Sequence, residues 1–525
     1  MRILASDPVA EKGLNILREE GFIVDEKIKL SEEELIKIIP QYDALIVRSE
    51  TKVTARIIEA AENLKIIGRA GVGVDNIDLA AASKKGIIVV NSPEGNTIAA
   101  AEHTIALMMA LLRNIPQAHA ALKAGKWLRK EFTGYELRGK TVGIIGLGRI
   151  GTAVAKRVKA FETRVIGYDP FISEERAQML GITLMPLEEL LQNADIVTMH
   201  LPLNNETRNL INRERLKLMK KSAFIINCAR GGIIDEEALY EALKAGEIAG
   251  AALDVFAREP LTESPLFELQ NVIVTPHLGA STKEAQINVA IDVAREIANV
   301  LKGGLAQNAV NFPAMDKESY QRLKPYINLA EKLGNFLAQI LSGGLLAAEI
   351  VYNGLAFKEE TRPLTLAALK GLLDPLLMER VNYVNAPVVA KERGIKVRET
   401  VMENGADYTN LITLKVTTEK GERIIAGTLF RNNEPRIVQI DQYRVDVVPE
   451  GYKLFVPHKD QPLMIGRVGL ILGEKGINIA GMQLGRLTPG GDAVMVLSLD
   501  HPADGDSIKA IAEIPGIYEV KAVSL

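Results

Sequence analysis

The chain has 525 residues, 47% of them hydrophobic and 25% charged, with a net charge of −3 and one cysteine. That length is too great for one core and implies several domains, while the charge balance gives no bulk basic footprint for nucleic acid. A single thiol excludes an internal disulfide framework and fits a reducing, cytoplasmic setting; no secretory signal series and no uninterrupted apolar run of membrane length is visible, so no membrane partner is expected.

Residues 1–95 alternate short apolar runs (RILAS, GFIVD, DALIVR, LKIIGRA, GIIVVN) with amphipathic helical patterns, which predicts a parallel α/β unit. The stretch NTIAAAEHTIALMMALLRN is apolar all round and predicts a helix buried between domains. A second α/β unit starts at TVGIIG and runs through RVIGYD, DIVTMH, AFIINC, GAALDV and NVIVTP. The helix that follows, STKEAQINVAIDVAREIANVLKGG, is expected to return to the first unit, so that the second is inserted in it. The expected boundaries are 1–96 with 288–312 for the first domain and 97–287 for the second. AVNFPAMDKESY, residues 309–320, reads as a linker. Residues 313–450 are expected as an α+β intervening domain, helices first and strands later. Residues 451–525 read βαββαβ, a ferredoxin-like unit.

GLGRIG, residues 146–151, follows a strand and opens a helix, and Asp169 ends the next strand 18 residues after Gly151. Gly146 permits the tight turn, Gly148 lets backbone approach a pyrophosphate, and Gly151 allows close helix–strand packing. Asp169 suits the ribose hydroxyls and repels a 2′-phosphate, so NAD is favoured over NADP. Tight-turn glycines alone would have a structural explanation; strand, helix and acid in series point to the dinucleotide.

Of six histidines, His277 closes an apolar strand before the flexible LGAST, where ligands bind in doubly wound folds. A hydride transfer from an alcohol needs a base near neutrality, which histidine supplies. Glu259 is a candidate to orient it, and Arg230 offers a fork for a carboxylate. His103 and His119 sit in helical segments and read as packing or surface residues. His200 ends a strand and reads equally as a neighbour of the cofactor or as structural. Cys228 has no evident base beside it and reads as a small residue, not a nucleophile.

GLGRIG…YDP, NCARGGIIDEEAL, GAALDVFAREP and TPHLGAST together resemble the signatures of the D-isomer-specific 2-hydroxyacid dehydrogenases, over about residues 1–312. The resemblance implies two doubly wound parallel-sheet domains, a Rossmann cofactor domain inserted in a flavodoxin-like substrate domain. It implies a catalytic trio of Arg230, Glu259 and His277. It implies NAD contacts from Arg149, Ile150, Asp169, Cys228, Ala229, Arg230, Asp254, His277, Gly279 and Ala280, with Asp254 meeting the nicotinamide carboxamide. VRSETKVT, GRAGVGVDNID and NSPEGNT imply a substrate site of Arg48, Ser49, Arg69 and Asn96, although Arg48 and Arg69 also read as ordinary strand-end charges. Arg129 and Lys130 match a region that in some relatives reaches a neighbouring subunit.

The C-terminal extension resembles the long branch of that family, with an intervening domain and an ACT regulatory domain. The implied small-molecule substrate is 3-phosphoglycerate, in the entry step to L-serine. L-serine is the implied effector, at His458, Asp460 and Asn478; Leu463 stands where the family usually has glycine, a departure that sets a bulky side chain where backbone would approach the amino acid. A homodimer or homotetramer is expected. No metal is expected. The alternatives are a reductase of glyoxylate, hydroxypyruvate or 2-oxoglutarate, and a non-catalytic NAD-sensing protein.

Overall fold

The computed structural model of the chain describes every residue except 305, 314, 316, 359, 378–380 and 403–406. Among the described residues the strands form four sheets. The first contains β1 (Arg2–Ala5), β2 (Ile23–Glu26), β3 (Ala44–Val47), β4 (Ile66–Arg69) and β5 (Ile88–Asn91), in the order β2-β1-β3-β4-β5. All pairs are parallel, the flavodoxin-like order. Ala44–Val47 is buried at every position, as a strand covered on both faces requires. The covering helices are locally encoded: Ser31 and Glu34 form a reciprocal capping box at Glu32–Ile38.

The second sheet contains β6 (Thr141–Ile145), β7 (Arg164–Tyr168), β8 (Thr183–Leu184), β9 (Ile196–Met199), β10 (Phe224–Asn227), β11 (Gly250–Leu253) and β12 (Val272–Val274). The order is β12-β11-β10-β9-β6-β7-β8, again all parallel. The strand order reverses between β6 and β9, and the loop after β6 is GLGRIG. Ligands of open α/β sheets bind at such a reversal. The helix Lys283–Leu301 then packs on β4 and on the helix Glu11–Glu19. The approach is close: a Cβ on Gly13 would lie 2.6 Å from the Ala290 carbonyl oxygen.

The third sheet is mixed: β13 (Leu345–Asn353), β14 (Lys396–Met402), β15 (Leu411–Thr418), β16 (Gly421–Leu429), β17 (Pro435–Ile440) and β18 (Tyr443–Val447), ordered β14-β13-β15-β16-β17-β18. Two expectations are corrected here. β13 precedes the helix Arg362–Leu373, so the strands do not all follow the helices; LLAAEIVYN carries helix formers, and pairing with β14 and β15 overrides them. The linker is shorter than residues 309–320, because a helix already runs over Lys317–Ile340.

The fourth sheet is antiparallel: β19 (Tyr452–Lys459), β20 (Ile479–Arg486), β21 (Asp492–Leu499) and β22 (Lys521–Ser524), ordered β20-β21-β19-β22 with two helices between strands. Leu454, Val456, Met495 and Leu497 pack under its own helices. Phe455, Val494, Val496 and Val523, on the other face, join one core with Phe336 and Leu337 of the helix Lys317–Ile340. The Phe336 and Phe455 rings meet edge to face at 6.4 Å, and Gln339 exchanges two 2.9 Å hydrogen bonds with the Ser524 backbone. Among the described residues no single helix is long and apolar enough to cross a membrane.

Candidate active site

The carboxyl ends of β6, β10, β11 and β12 lie along one edge of the second sheet, because the strands are parallel. The residues just beyond them form the site. Gly146 has φ +91°, and a Cβ on Gly151 would lie 2.0 Å from the Gly146 carbonyl oxygen, so both glycines are required by the turn. A Cβ on Gly148 would meet nothing within 4 Å. Backbone there faces open space at the start of the helix Arg149–Lys159, as a pyrophosphate needs. A cleft of about 510 Å³ beside it is lined by Thr97, Ile98, Leu147, Arg149, Thr152 and Ile172. Asp169 braces the loop, accepting from the Leu147 N–H at 2.8 Å and the Phe171 N–H at 2.9 Å. These residues fit a dinucleotide. Ile150 and Ala280 are partly buried.

The loop after β10 is shaped by Asn227, which sequence reasoning passed over. Its side chain accepts from the Ala229 N–H at 3.0 Å and donates to the Arg230 carbonyl at 2.9 Å. A Cβ on Gly231 would lie 1.9 Å from the Phe256 backbone, and Gly232 has φ +78°, so Gly231 serves close approach and Gly232 the turn. Cys228 is partly buried, and burial pushes its thiol up to about 12, which leaves it inert.

His277 Nδ1 lies 2.7 Å from Glu259 Oε2, with side chains 45% and 35% exposed, so the pair is open to a ligand. Burial opposes the Glu259 charge, but hydrogen bonds from His277 and from the Phe256 N–H outweigh it and hold the carboxyl below its ordinary range. His277 has φ +55°, and its N–H donates to the Asp254 carbonyl at 2.9 Å. The Asp254 carboxylate, expected at the cofactor, is 1% exposed and serves the chain. Oδ1 accepts from the Thr275 hydroxyl (2.6 Å) and the Leu278 N–H (2.7 Å), and Oδ2 from the Gly279 N–H (2.8 Å). His200, beside Thr198 at 3.1 Å, is held neutral by burial at about 3, which favours the structural alternative.

Arginines from both sheets converge at the mouth. Arg69, at the end of β4, is held down at about 10 by burial and then by the positive charges of Arg230 and Arg48. Its Nε is buried without a hydrogen-bond partner, as is Asn96 Oδ1. The Arg48 N–H donates to Asp7 Oδ2 at 2.5 Å, Ser49 beside it is exposed, and Arg230 Nε donates to Asp75 Oδ2 at 3.0 Å. Three cations with orphaned polar atoms among them suit a ligand with more than one negative charge. Arg129 and Lys130 lie exposed and apart.

The C-terminal residues are less simply arranged. The His458 side chain is buried, at 1% exposure, with Nδ1 2.9 Å from the Val456 carbonyl oxygen. It shares the face of β19 with Leu454 and Val456, under the unit's own helices, so its ring does not face a ligand in one chain. Asp460 accepts from Arg486 and the Gly490 N–H, each at 3.0 Å, and Asn478 donates to Asp500 at 2.8 Å. Leu463 has φ +67° and is 70% exposed at the start of the helix Met464–Glu474. That left-handed position is where glycine would be unstrained.

Residues 105–279 match the family model for the D-isomer specific 2-hydroxyacid dehydrogenase NAD binding domain, and 322–441 match the D-3-phosphoglycerate dehydrogenase intervening domain. The chain is 51% identical over 525 residues to D-3-phosphoglycerate dehydrogenase of Synechocystis sp., covering 100% of this chain and 95% of the relative. It is 51% identical over 526 residues to that of Methanocaldococcus jannaschii, covering 100% of both. Among solved structures, a Thermus thermophilus protein is 38% identical with a TM-score of 0.56, covering 59% of this chain and 100% of that one. A glyoxylate reductase from Paecilomyes thermophila is 30% identical with a TM-score of 0.55, covering 59% and 98%. The solved structures thus correspond to part of this chain, whereas the curated relatives run the whole length. The chain belongs to the D-3-phosphoglycerate dehydrogenases, within the D-isomer-specific 2-hydroxyacid dehydrogenase family.

Proposed function

We propose that this chain oxidises 3-phospho-D-glycerate to 3-phosphooxypyruvate with NAD, the first step toward L-serine. The observation that supports it is the juxtaposition of three arginines, Arg48, Arg69 and Arg230, with the His277–Glu259 pair at one cleft. Arg230 anchors the substrate carboxylate and polarises the forming carbonyl. His277 takes the C2 hydroxyl proton on Nε2, while Glu259 fixes the ring through Nδ1 and stabilises the imidazolium. Arg48 and Arg69 hold the remaining negative charge. Bound NAD supplies the hydride acceptor. Asp169 selects the unphosphorylated ribose.

We further propose a homodimer through the cofactor-domain face, where Ile115, Leu122 and Trp127 stand exposed, Trp127 at 81%. A reducing cytoplasm suits its single buried thiol. We assign any L-serine response to Asp460 and Asn478 rather than to the buried His458 ring.

The test is NADH oxidation with 3-phosphohydroxypyruvate, glyoxylate and 2-oxoglutarate, each with and without L-serine. The expected result is a strong preference for the phosphorylated substrate. Equal or better turnover of glyoxylate or 2-oxoglutarate removes the assignment, and no oxidation of NADH with any of them favours a binding role.

A further inference from the structure

His103 stands on the helix Thr97–Leu112, which directly follows Asn96 and packs against β10, β11 and β12. Its Nε2 lies 3.2 Å from Asp254 Oδ1 and 3.2 Å from Thr275 Oγ1. Thr275 already donates its hydroxyl proton to Asp254 at 2.6 Å, so that oxygen is free to accept from the His103 ring. The same carboxylate holds the Leu278 and Gly279 N–H groups, and the Asp254 carbonyl holds the His277 N–H. Thr275, His277, Leu278 and Gly279 are therefore each fastened to Asp254, with His277 in the left-handed region between them. Burial alone would raise the Asp254 carboxyl; hydrogen bonds from His103, Thr275 and Leu278 hold it below the ordinary range, so the strap stays charged at neutral pH.

We propose that His103 is a positioning residue for the reaction: through Thr275 and Asp254 it fixes the loop that aims His277 at the substrate. The idea rests on the active-site reading above. It gives the helix Thr97–Leu112 a second task besides packing on the second sheet. A misaimed base lowers turnover more than binding, because its contact with the reacting proton is made fully only in the transition state.

The test uses the full chain. His103→Leu removes the ring N–H at similar volume, His103→Gln returns an amide N–H near the same place, and Thr275→Val breaks the relay. The expected result for His103→Leu is about a tenfold fall in kcat, with KM for NADH and for the 2-oxo acid moving less than about twofold. His103→Gln should recover most of the loss. The double variant His103→Leu/Thr275→Val should lose little more than the worse single variant, because both break one strap. Parent-like turnover in His103→Leu overturns the proposal. So do equal losses in the Leu and Gln variants that track their thermal midpoints, or multiplicative losses in the double variant. A His277→Asn control separates the two ideas. Retained turnover there removes the active-site reading and the strap with it; turnover lost there but untouched in His103→Leu removes only the strap.

Discussion

Replacing Arg69 by methionine removes a buried positive charge while keeping an unbranched side chain. The guanidinium, ordinarily at 12.5, is held at about 10 by burial and by Arg230 and Arg48, which disfavours its charged form by about 3 kcal/mol. A basic group whose folded value is depressed costs stability at every pH below that value, and the cost fades only as pH rises through about 10. Arg69→Met should therefore stabilise the ligand-free chain at neutral pH, by roughly 1–3 kcal/mol once relaxation around the charge is allowed for. Substrate reverses the sign, since an anion among the three arginines gives the buried charge its partner. Truncating one side of such a contact costs about 2–5 kcal/mol, so KM for 3-phosphohydroxypyruvate should rise at least about 30-fold. Urea unfolding of the ligand-free protein and steady-state NADH oxidation measure the two effects. A variant less stable than the parent, with an unchanged KM, would refute the view that this charge waits for a ligand.

Cys228, with its thiol pushed up to about 12 by burial, should react with iodoacetamide at mildly alkaline pH far more slowly in the native chain than in urea. Cys228→Ala should stay within about twofold of parental turnover, and fast native labelling or a dead variant would contradict the inert reading. Asp254, with its carboxyl depressed, contributes stability that is complete above about pH 4 and lost as pH falls through the lower folded value. The stability gap between parent and Asp254→Asn should therefore narrow in acid; a gap that stays constant there counts against the strap's being charged. Leu463→Gly relieves a left-handed φ of +67° and should stabilise the C-terminal unit by about 0.5–1 kcal/mol in urea melts, less stability being the contrary result.

The two parallel sheets were legible because their strands are near-continuous apolar runs, and because the glycines at 146, 148 and 151 and Asp169 are a local pattern. Arg230, Glu259 and His277 could be singled out because strand ends in such sheets collect ligands. The pairing of His277 with Glu259 could be named as well; the residues that brace them could not. His103 looked like one more polar position on an apolar helix, because its partners lie some 150–170 residues away and no helical periodicity encodes a contact at that separation. Asn227 looked like a strand terminus, and only the turn reveals that its amide ties both sides of Ala229 and Arg230. His458 was placed at an effector site from its motif, yet it alternates with Leu454 and Val456 on the face of β19 that the unit's own helices cover, and is buried there.

That same shared core bears on how the chain can be dissected. Phe455, Val494, Val496 and Val523 lie in one apolar cluster with Phe336, so a cut near residue 450 would leave a greasy wound on the preceding half rather than a clean end. Loss of activity or solubility after such a cut would report a broken fold and say nothing about regulation. Surgery is better placed near residue 312, ahead of the helix Lys317–Ile340, where the two halves meet through polar links such as Asn382 to the Gly86 carbonyl at 2.7 Å. Residues 317–525 share one core, and chimaeras between relatives should exchange them whole.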